Sequence, residues 1–265
     1  MSSESTGQSS RFVQRVQELV ANIEYRRAVT QVERERIFRQ RHAAYLKEDA
    51  IEPVDGGLFT DEYDETENGA VYGLYLGDRL CASMRIHVAD ASCRKLPAMW
   101  AFADVIDPEF DAGKTIVDPS RFVVDYEASR ERPELAYVTA RLGWIAGQHY
   151  NADIVLATAR REHQAFYRRV FNYRLMTDCR PYHTLKKPLS LLFLDYKEQK
   201  EAVEGRYPFL RSTPEERERV FGAAPGSRHV GCGGSQGRGP YVASALTGRN
   251  ASGHTPTKAI ACGGF

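Results

Sequence analysis

Apolar and polar positions along the chain alternate between two periods. Phe12, Val13, Val16, Leu19 and Val20 recur at helical spacing, and Ile23 to Val29 reads as a short strand. Thr30-Gln31-Val32-Glu33 has the form of a capping box, so a second helix is expected to run from there to about Lys47. Arg34, Phe38, Arg41 and Tyr45 follow at offsets of four, three and four, which places them on one face of it. Two strands then meet at a tight Gly77-Asp78 turn. In the second, Leu80, Ala82, Met84, Ile86 and Val88 alternate with Cys81, Ser83, Arg85 and His87. One face is core, and the other offers Arg85 and His87 to polar partners.

Residues 115–125 form a central strand in which Pro119 marks a bulge or an interrupted pairing. Pro133 suits a first helical position, and Leu135, Val138, Leu142, Ile145 and Ala146 make a stripe that packs on a sheet. The run Ile154 to Thr158 predicts a strand buried on both faces. A short helix around Gln164 to Val170 and two strands near 173–179 and 188–196 complete the pattern. The order implies an α/β (α+β) fold, a mixed twisted sheet flanked by helices. A regular doubly wound sheet is excluded, because the early strands pair as a hairpin.

Composition trims the ends. Residues 222–265 hold 11 of the 21 glycines and few large apolar side chains, too little buried surface to offset ordering entropy. The expected organisation is a disordered tail over 1–10, one folded domain over 11–220 and a glycine-rich disordered tail over 221–265. A net charge of +1 gives no global field toward nucleic acid. Cys81, Cys93, Cys179, Cys232 and Cys262 show no metal-ligand spacing, and with no export signal an odd count points to a reduced, cytoplasmic protein. No apolar run approaches the roughly 20 residues of a membrane helix.

No GxGxxG, P-loop, GxSxG or HExxH occurs in the chain. Chemistry must come from looser constellations. Phe166-Tyr167-Arg168-Arg169-Val170-Phe171-Asn172-Tyr173, directly after the buried strand, resembles the closing motif of the Gcn5-related N-acetyltransferases. That resemblance implies an acetyltransferase-like sheet with strands splayed at its centre, and a Tyr167 able to protonate the leaving thiolate; the same aromatics also suit an ordinary core. The family anchors coenzyme A pyrophosphate on a glycine-rich helix start. Here the segment after Asp125 carries Glu127 and Glu131 and no glycine. A carrier-bound phosphopantetheine, with one phosphate and no nucleotide, fits better. No further cofactor and no metal is expected.

The branch that uses acyl-carrier protein includes LuxI-type acyl-homoserine-lactone synthases and FeeM-type N-acyl amino acid synthases. Residues 30–196 resemble it. Arg34, Phe38 and Arg41 are spaced like its N-terminal helix, and Asp61-Glu62-Tyr63-Asp64 matches its Asp-x-aromatic-Asp element. Arg85 lies in the corresponding strand, and Asp118-Pro119-Ser120-Arg121-Phe122 is similar to the Glu-x-Ser-Arg-Phe motif. The LuxI-type tryptophan is replaced by Ala44 or Tyr45, and a glutamate by Phe59, which puts S-adenosylmethionine binding in doubt.

The resemblance therefore implies a FeeM-type enzyme that moves a fatty acyl group from acyl-carrier protein to the amine of an amino acid. Asp118 is the first candidate base and His87 a second. Asp61 and Asp64 join the catalytic set, bind the acceptor ammonium, or brace Arg34 and Arg121. Arg34, Phe38, Arg85, Ser120 and Arg121 belong to the substrate site or its frame, while Trp100, Phe102, Phe122 and Leu142 are candidates to line the acyl chain, or plain core. Arg160, Arg161, Arg168 and Arg169 form a basic cluster suited to an acidic carrier protein, or simply a solvated face. The alternatives are a LuxI-type synthase, a coenzyme A-dependent acetyltransferase, and a non-catalytic acyl-binding module.

Overall fold

The computed structural model describes residues 3–182 and 184–222. The expected C-terminal tail, with Cys232 and Cys262, lies outside the described residues apart from Phe221 and Gly222. At the other end, α1 (Ser3–Asn22) already includes residues that composition assigned to a tail. Val16 and Leu19 anchor its apolar face in the core, and Phe12 packs edge-on against Tyr137 at 4.7 Å. A helix anchored in this way extends at one hydrogen bond per residue.

Seven strands make one sheet: β1 (Glu24–Arg27), β2 (Gly69–Leu76), β3 (Arg79–Ala89), β4 (Ile116–Val124), β5 (Ile154–Ala159), β6 (Arg174–Leu175) and β7 (Ser190–Asp195), in the order β1-β2-β3-β4-β5-β7-β6. Every neighbouring pair is antiparallel except β4 with β5. Gly77 turns the β2–β3 hairpin at φ +58°, where a side chain would be strained. β1 and β6 are shorter than the sequence pattern indicates.

Helices cover both faces. On one side α5 (Leu135–His149) lies with α1, and its stripe of Leu135, Val138, Leu142, Ile145 and Ala146 is fully buried. On the other side α2 (Gln31–Lys47) covers β1–β3, and α3 (Met99–Asp111) covers β4, β5 and β7. The expected capping box starts α2, with Glu33 N–H donating to Thr30 and the Glu33 carboxylate reaching back to the Thr30 N–H. Four helices were not apparent in the sequence pattern: α3, α4 (Tyr126–Glu131), α7 (Tyr196–Arg206) and α8 (Pro214–Phe221). Between α5 and α7 lies α6 (Gln164–Phe171), close to its predicted place.

Two local features open the sheet at its centre. β4 pairs with β5 only at Ile116–Ile154 and Val117–Val155, although both strands run on. Pro119, two residues further along, has no N–H to contribute. On its other edge β4 carries a bulge: pairing jumps from Arg85–Ser120 to Ser83–Val123, so Arg121 and Phe122 together face Met84. Arg121 takes the bulge's left-handed conformation at φ +52°.

Candidate active site

The polar face of β3 is roofed over by α2 and by a 3-10 turn at Glu62–Glu65, so Ser83, Arg85 and His87 are all buried. Under that roof lies a lattice of arginines and aspartates. Arg41, on the inner face of α2, grips Asp64 with both terminal nitrogens at 2.8 and 3.2 Å. Arg85 pairs with Asp61, contacts Asp64 at 3.0 Å and donates Nε–H to Ser120 Oγ at 3.2 Å. The bulge turns Arg121 inward, where Nε donates to Asp61 at 3.1 Å and Nη2 to Thr184 Oγ1 at 3.1 Å. Arg34 closes the rim through the Asp64 carbonyl at 2.6 Å and the Glu65 carboxylate. Phe38 lies between the guanidinium groups of Arg34 and Arg41.

These contacts set the charge state of the two aspartates. Burial alone would raise both carboxyls. Arg121 and Arg85 outweigh it at Asp61, whose carboxyl is held well below the usual carboxylate range, and Arg41 and Arg85 outweigh it at Asp64, whose carboxyl is lowered. Each also receives a backbone N–H, Tyr63 to Asp61 and Asp61 to Asp64. Carboxylates with their lone pairs so fully engaged brace arginines and do not collect protons. Of the readings open for Asp61 and Asp64, this geometry fits the bracing of arginines, with Arg121 held by Asp61 and Arg34 by the Asp64 carbonyl.

Asp118 lies beside this lattice in a different state. Its side chain is fully buried; Oδ2 accepts from Ala98 N–H at 3.0 Å. Burial pushes its carboxyl up to about 6, against the Ala98 hydrogen bond and Arg85, which pull it down. A group poised there can take a proton near neutral pH. Burial, with help from Arg85, instead drives His87 down to about 3. Its Nε2 sits between Tyr63 O at 3.1 Å and Thr66 Oγ1 at 2.8 Å, and the ring stays neutral at neutral pH.

Where β4 and β5 part, a cavity of about 100 Å³ opens. Its walls are residues 119–124 of β4, the end of β5 with Arg160, and the rings of Tyr45, Tyr167 and Tyr182. A smaller apolar space of about 20 Å³, backed by Trp144, Phe171 and Tyr173, lies behind it and shares Pro119, Phe122 and Tyr167 as a common wall. Tyr167 therefore stands at the seam, and burial raises its phenol, which stays protonated at neutral pH. Ser120 lines the larger cavity on the strand face that carries Asp118 two residues away.

Other expected lining residues fall elsewhere. Trp100 is half exposed on α3 against Tyr182, Phe102 is buried in the α3 core, and Leu142 is buried in the α5 core. Of the basic cluster, Arg161, Arg168 and Arg169 are exposed and form no ion pair among the described residues. Arg160 instead lines the cavity and pairs with Glu48 at 3.2 Å and Glu162 at 3.4 Å. Tyr182, His163 and Lys187 also line the cavity and sit in no recognisable sequence pattern, whereas Tyr45 shares the Arg34 face of α2. Among the described residues no group of three or more His, Cys, Asp or Glu could hold a metal, and no helix is long and apolar enough to cross a membrane.

A family model described as "N-acyl amino acid synthase FeeM" matches residues 36–195. No curated protein sequence matches the chain. The structure of FeeM, an N-acyl amino acid synthase from uncultured soil microbes, superposes with a TM-score of 0.56 at 17% identity, covering 68% of this chain and 93% of that one. The AHL synthase LasI gives 0.50 at 12% identity over 69% and 94% of the two chains. TofI, solved in a ternary complex with an inhibitor and MTA, gives 0.51 at 10% identity over 72% and 100%. At these identities the structural likeness establishes a fold shared with these proteins.

Proposed function

The chain belongs to the FeeM N-acyl amino acid synthase family, and from that premise we propose that it transfers a fatty acyl group from acyl-carrier protein to the amine of an amino acid. The observation that carries this reading is the cavity at the parting of β4 and β5, with Tyr167 at its seam. A pantetheine arm entering between the strands brings its thioester carbonyl beside β4 amides that β5 does not use, and such donors stabilise an oxyanion. The acyl chain continues along Phe122 toward the apolar space behind.

The start of α4 supports a donor without pyrophosphate. Asp125 caps that helix itself, accepting from Ala128 N–H at 2.9 Å, and Glu127 adds a second negative charge in the first turn. A pyrophosphate would meet carboxylates where the fold family ordinarily offers open N–H groups. Exposed Arg161, Arg168 and Arg169 follow the cavity residues Arg160 and Tyr167 in the chain and suit an acidic carrier protein.

The acceptor enters as an ammonium and loses two protons in all. One passes to Asp118 through a water at the level of Ser120, which frees the nitrogen lone pair. Attack forms the C–N bond, and collapse of the tetrahedral intermediate breaks the C–S bond. The second proton reaches the departing sulfur by way of the Tyr167 phenol, which donates its own and regains that of the nitrogen. Asp118 then releases its proton to solvent, so thioester and ammonium become amide, thiol and one proton. Purified protein supplied with acyl-loaded carrier protein and the common amino acids tests this by mass spectrometry of the products. An N-acyl amino acid is expected; absence of N-acyl product with every acceptor would overturn it.

A further inference from the structure

Two buried polar atoms on the strand face that also carries Ser120 have no partner among the described residues: His87 Nδ1 and Asp118 Oδ1. They belong to residues directly opposite each other on β3 and β4. Cross-strand partners of this kind carry their Cβ atoms about 5 Å apart on one face of the sheet. Both side chains are completely buried, and the far end of each is already fixed. Asp118 Oδ2 takes the Ala98 N–H, while His87 Nε2 faces the Tyr63 carbonyl and the Thr66 hydroxyl. A carbonyl can only accept, so Nε2 carries the imidazole hydrogen and Nδ1 is left as an acceptor. An ionised Oδ1 is an acceptor too. Two facing acceptors cannot bond each other, and leaving both unpaired costs about 1–3 kcal/mol apiece.

One water molecule has the two O–H groups this pair lacks. We propose that His87 is a positioning residue for Asp118: a single buried water donates one hydrogen to His87 Nδ1 and the other to Asp118 Oδ1, holding the carboxylate in its proton-accepting form. When Asp118 takes a proton on Oδ1, the water turns, accepts from that O–H and still donates to Nδ1. The pair therefore stays hydrogen-bonded in both states. The catalytic part of this inference rests on Asp118 serving as the base of the proposed reaction; the water itself does not.

The groups facing the pair leave a clean titration window. Arg85, Asp61, Asp64 and Tyr63 surround His87, and Arg85, Tyr63, Tyr173 and Tyr182 surround Asp118. The aspartates are held low and the tyrosines high, so Asp118 alone of these titrates near pH 6.

The test follows the Asp118 carboxyl by carbon-13 NMR across pH, with Asp118→Asn identifying the signal. His87→Gln keeps a polar atom near Nε2 and loses Nδ1; His87→Asn does the reverse. In His87→Gln the Asp118 midpoint is expected to rise by about one unit, and kcat/KM on the acid side to fall about tenfold with it. His87→Asn is expected to keep the wild-type midpoint. An unmoved midpoint in His87→Gln, or an equal shift in both variants, overturns the proposal. Should a variant fail to fold, a high-resolution crystal structure of the wild-type protein decides: a water bonded to both atoms supports the proposal, and its absence sinks it. The NMR titration needs no substrate, so a protein that makes no N-acyl product fails the proposed function without touching the shared water.

Discussion

Replacing Asp61 with Asn removes one negative charge from the middle of the arginine lattice with almost no change of shape. Asn remains a good cap for the turn at Tyr63, and its amide oxygen still accepts, so the change isolates charge from geometry. Before it, Arg41, Arg85 and Arg121 face Asp61 and Asp64; after it, three buried guanidinium groups share one carboxylate. The Asp61 side chain is only 4% exposed, and Arg85 and Arg121 are 1% and 5% exposed, so solvent screens little of the loss. Breaking a buried ion pair typically costs 3–5 kcal/mol, and the retained acceptor puts this case near 3. For a folded unit of this size that corresponds to a fall in Tm of roughly 6–12 °C.

Calorimetry and urea unfolding at pH 7 measure the loss directly. A fall of less than about 2 °C would refute the view that Asp61 holds the lattice together. Its carboxyl is depressed in the folded state, so its stabilisation is complete above the unfolded value near 4 and is lost as pH drops toward the folded one. The gap between wild type and Asp61→Asn must therefore narrow below pH 4. Adding Arg121→Met removes the surplus positive charge and is expected to restore part of the lost stability.

Asp118→Asn is expected to lower kcat/KM by about 10²–10⁴-fold, and the wild-type profile to rise with pH through about 6; activity within threefold of wild type would remove Asp118 as the base. Because its folded carboxyl is raised, Asp118 lowers stability as pH climbs from about 4 toward 6, so the Asn variant gains up to about 3 kcal/mol at pH 7 and nothing below pH 4 in chemical denaturation. Tyr167→Phe keeps the ring packing and loses the proton donor; turnover is expected to drop about 10²-fold with Tm unchanged, and a normal rate would assign Tyr167 to packing alone. Arg161→Glu with Arg169→Glu should weaken carrier-protein binding most at low salt while leaving unfolding unaltered. Equal affinity at low salt would place the docking surface elsewhere.

Much of the frame was legible because it rests on local repetition. The Thr30–Glu33 capping box, the Gly77 hairpin, the alternation of β3 and the apolar run of β5 are each written within a few residues. The missed α3 shows the limit of that signal. Its backbone leaves helical geometry at Phe102 and it contains Pro108, so Met99 to Asp111 reads poorly as one period. Without α3 the sequence leaves Trp100 and Phe102 open between an acyl path and plain core, and the helix turns Phe102 into its own core. The polar face of β3 was recognised, but not the roof that buries it.

For the candidate site, the resemblance to the acyl-carrier-protein-dependent branch named Arg34, Phe38, Arg41, Asp61, Asp64, Arg85, Asp118 and Arg121 as a set, since each sits in a short motif of that branch. Which charge meets which depends on contacts across 23 to 60 residues of chain, and no local pattern carries that information. Only the tertiary structure sets the carboxyls of Asp61 and Asp64 low among arginines and that of Asp118 high, because a proton equilibrium depends on neighbours in space and on exclusion of water. The cavity is likewise a product of assembly. Two strands stop pairing after two residues, and the space they vacate is bounded by side chains from α2, β4, β5 and α6, elements that meet only when the sheet is complete.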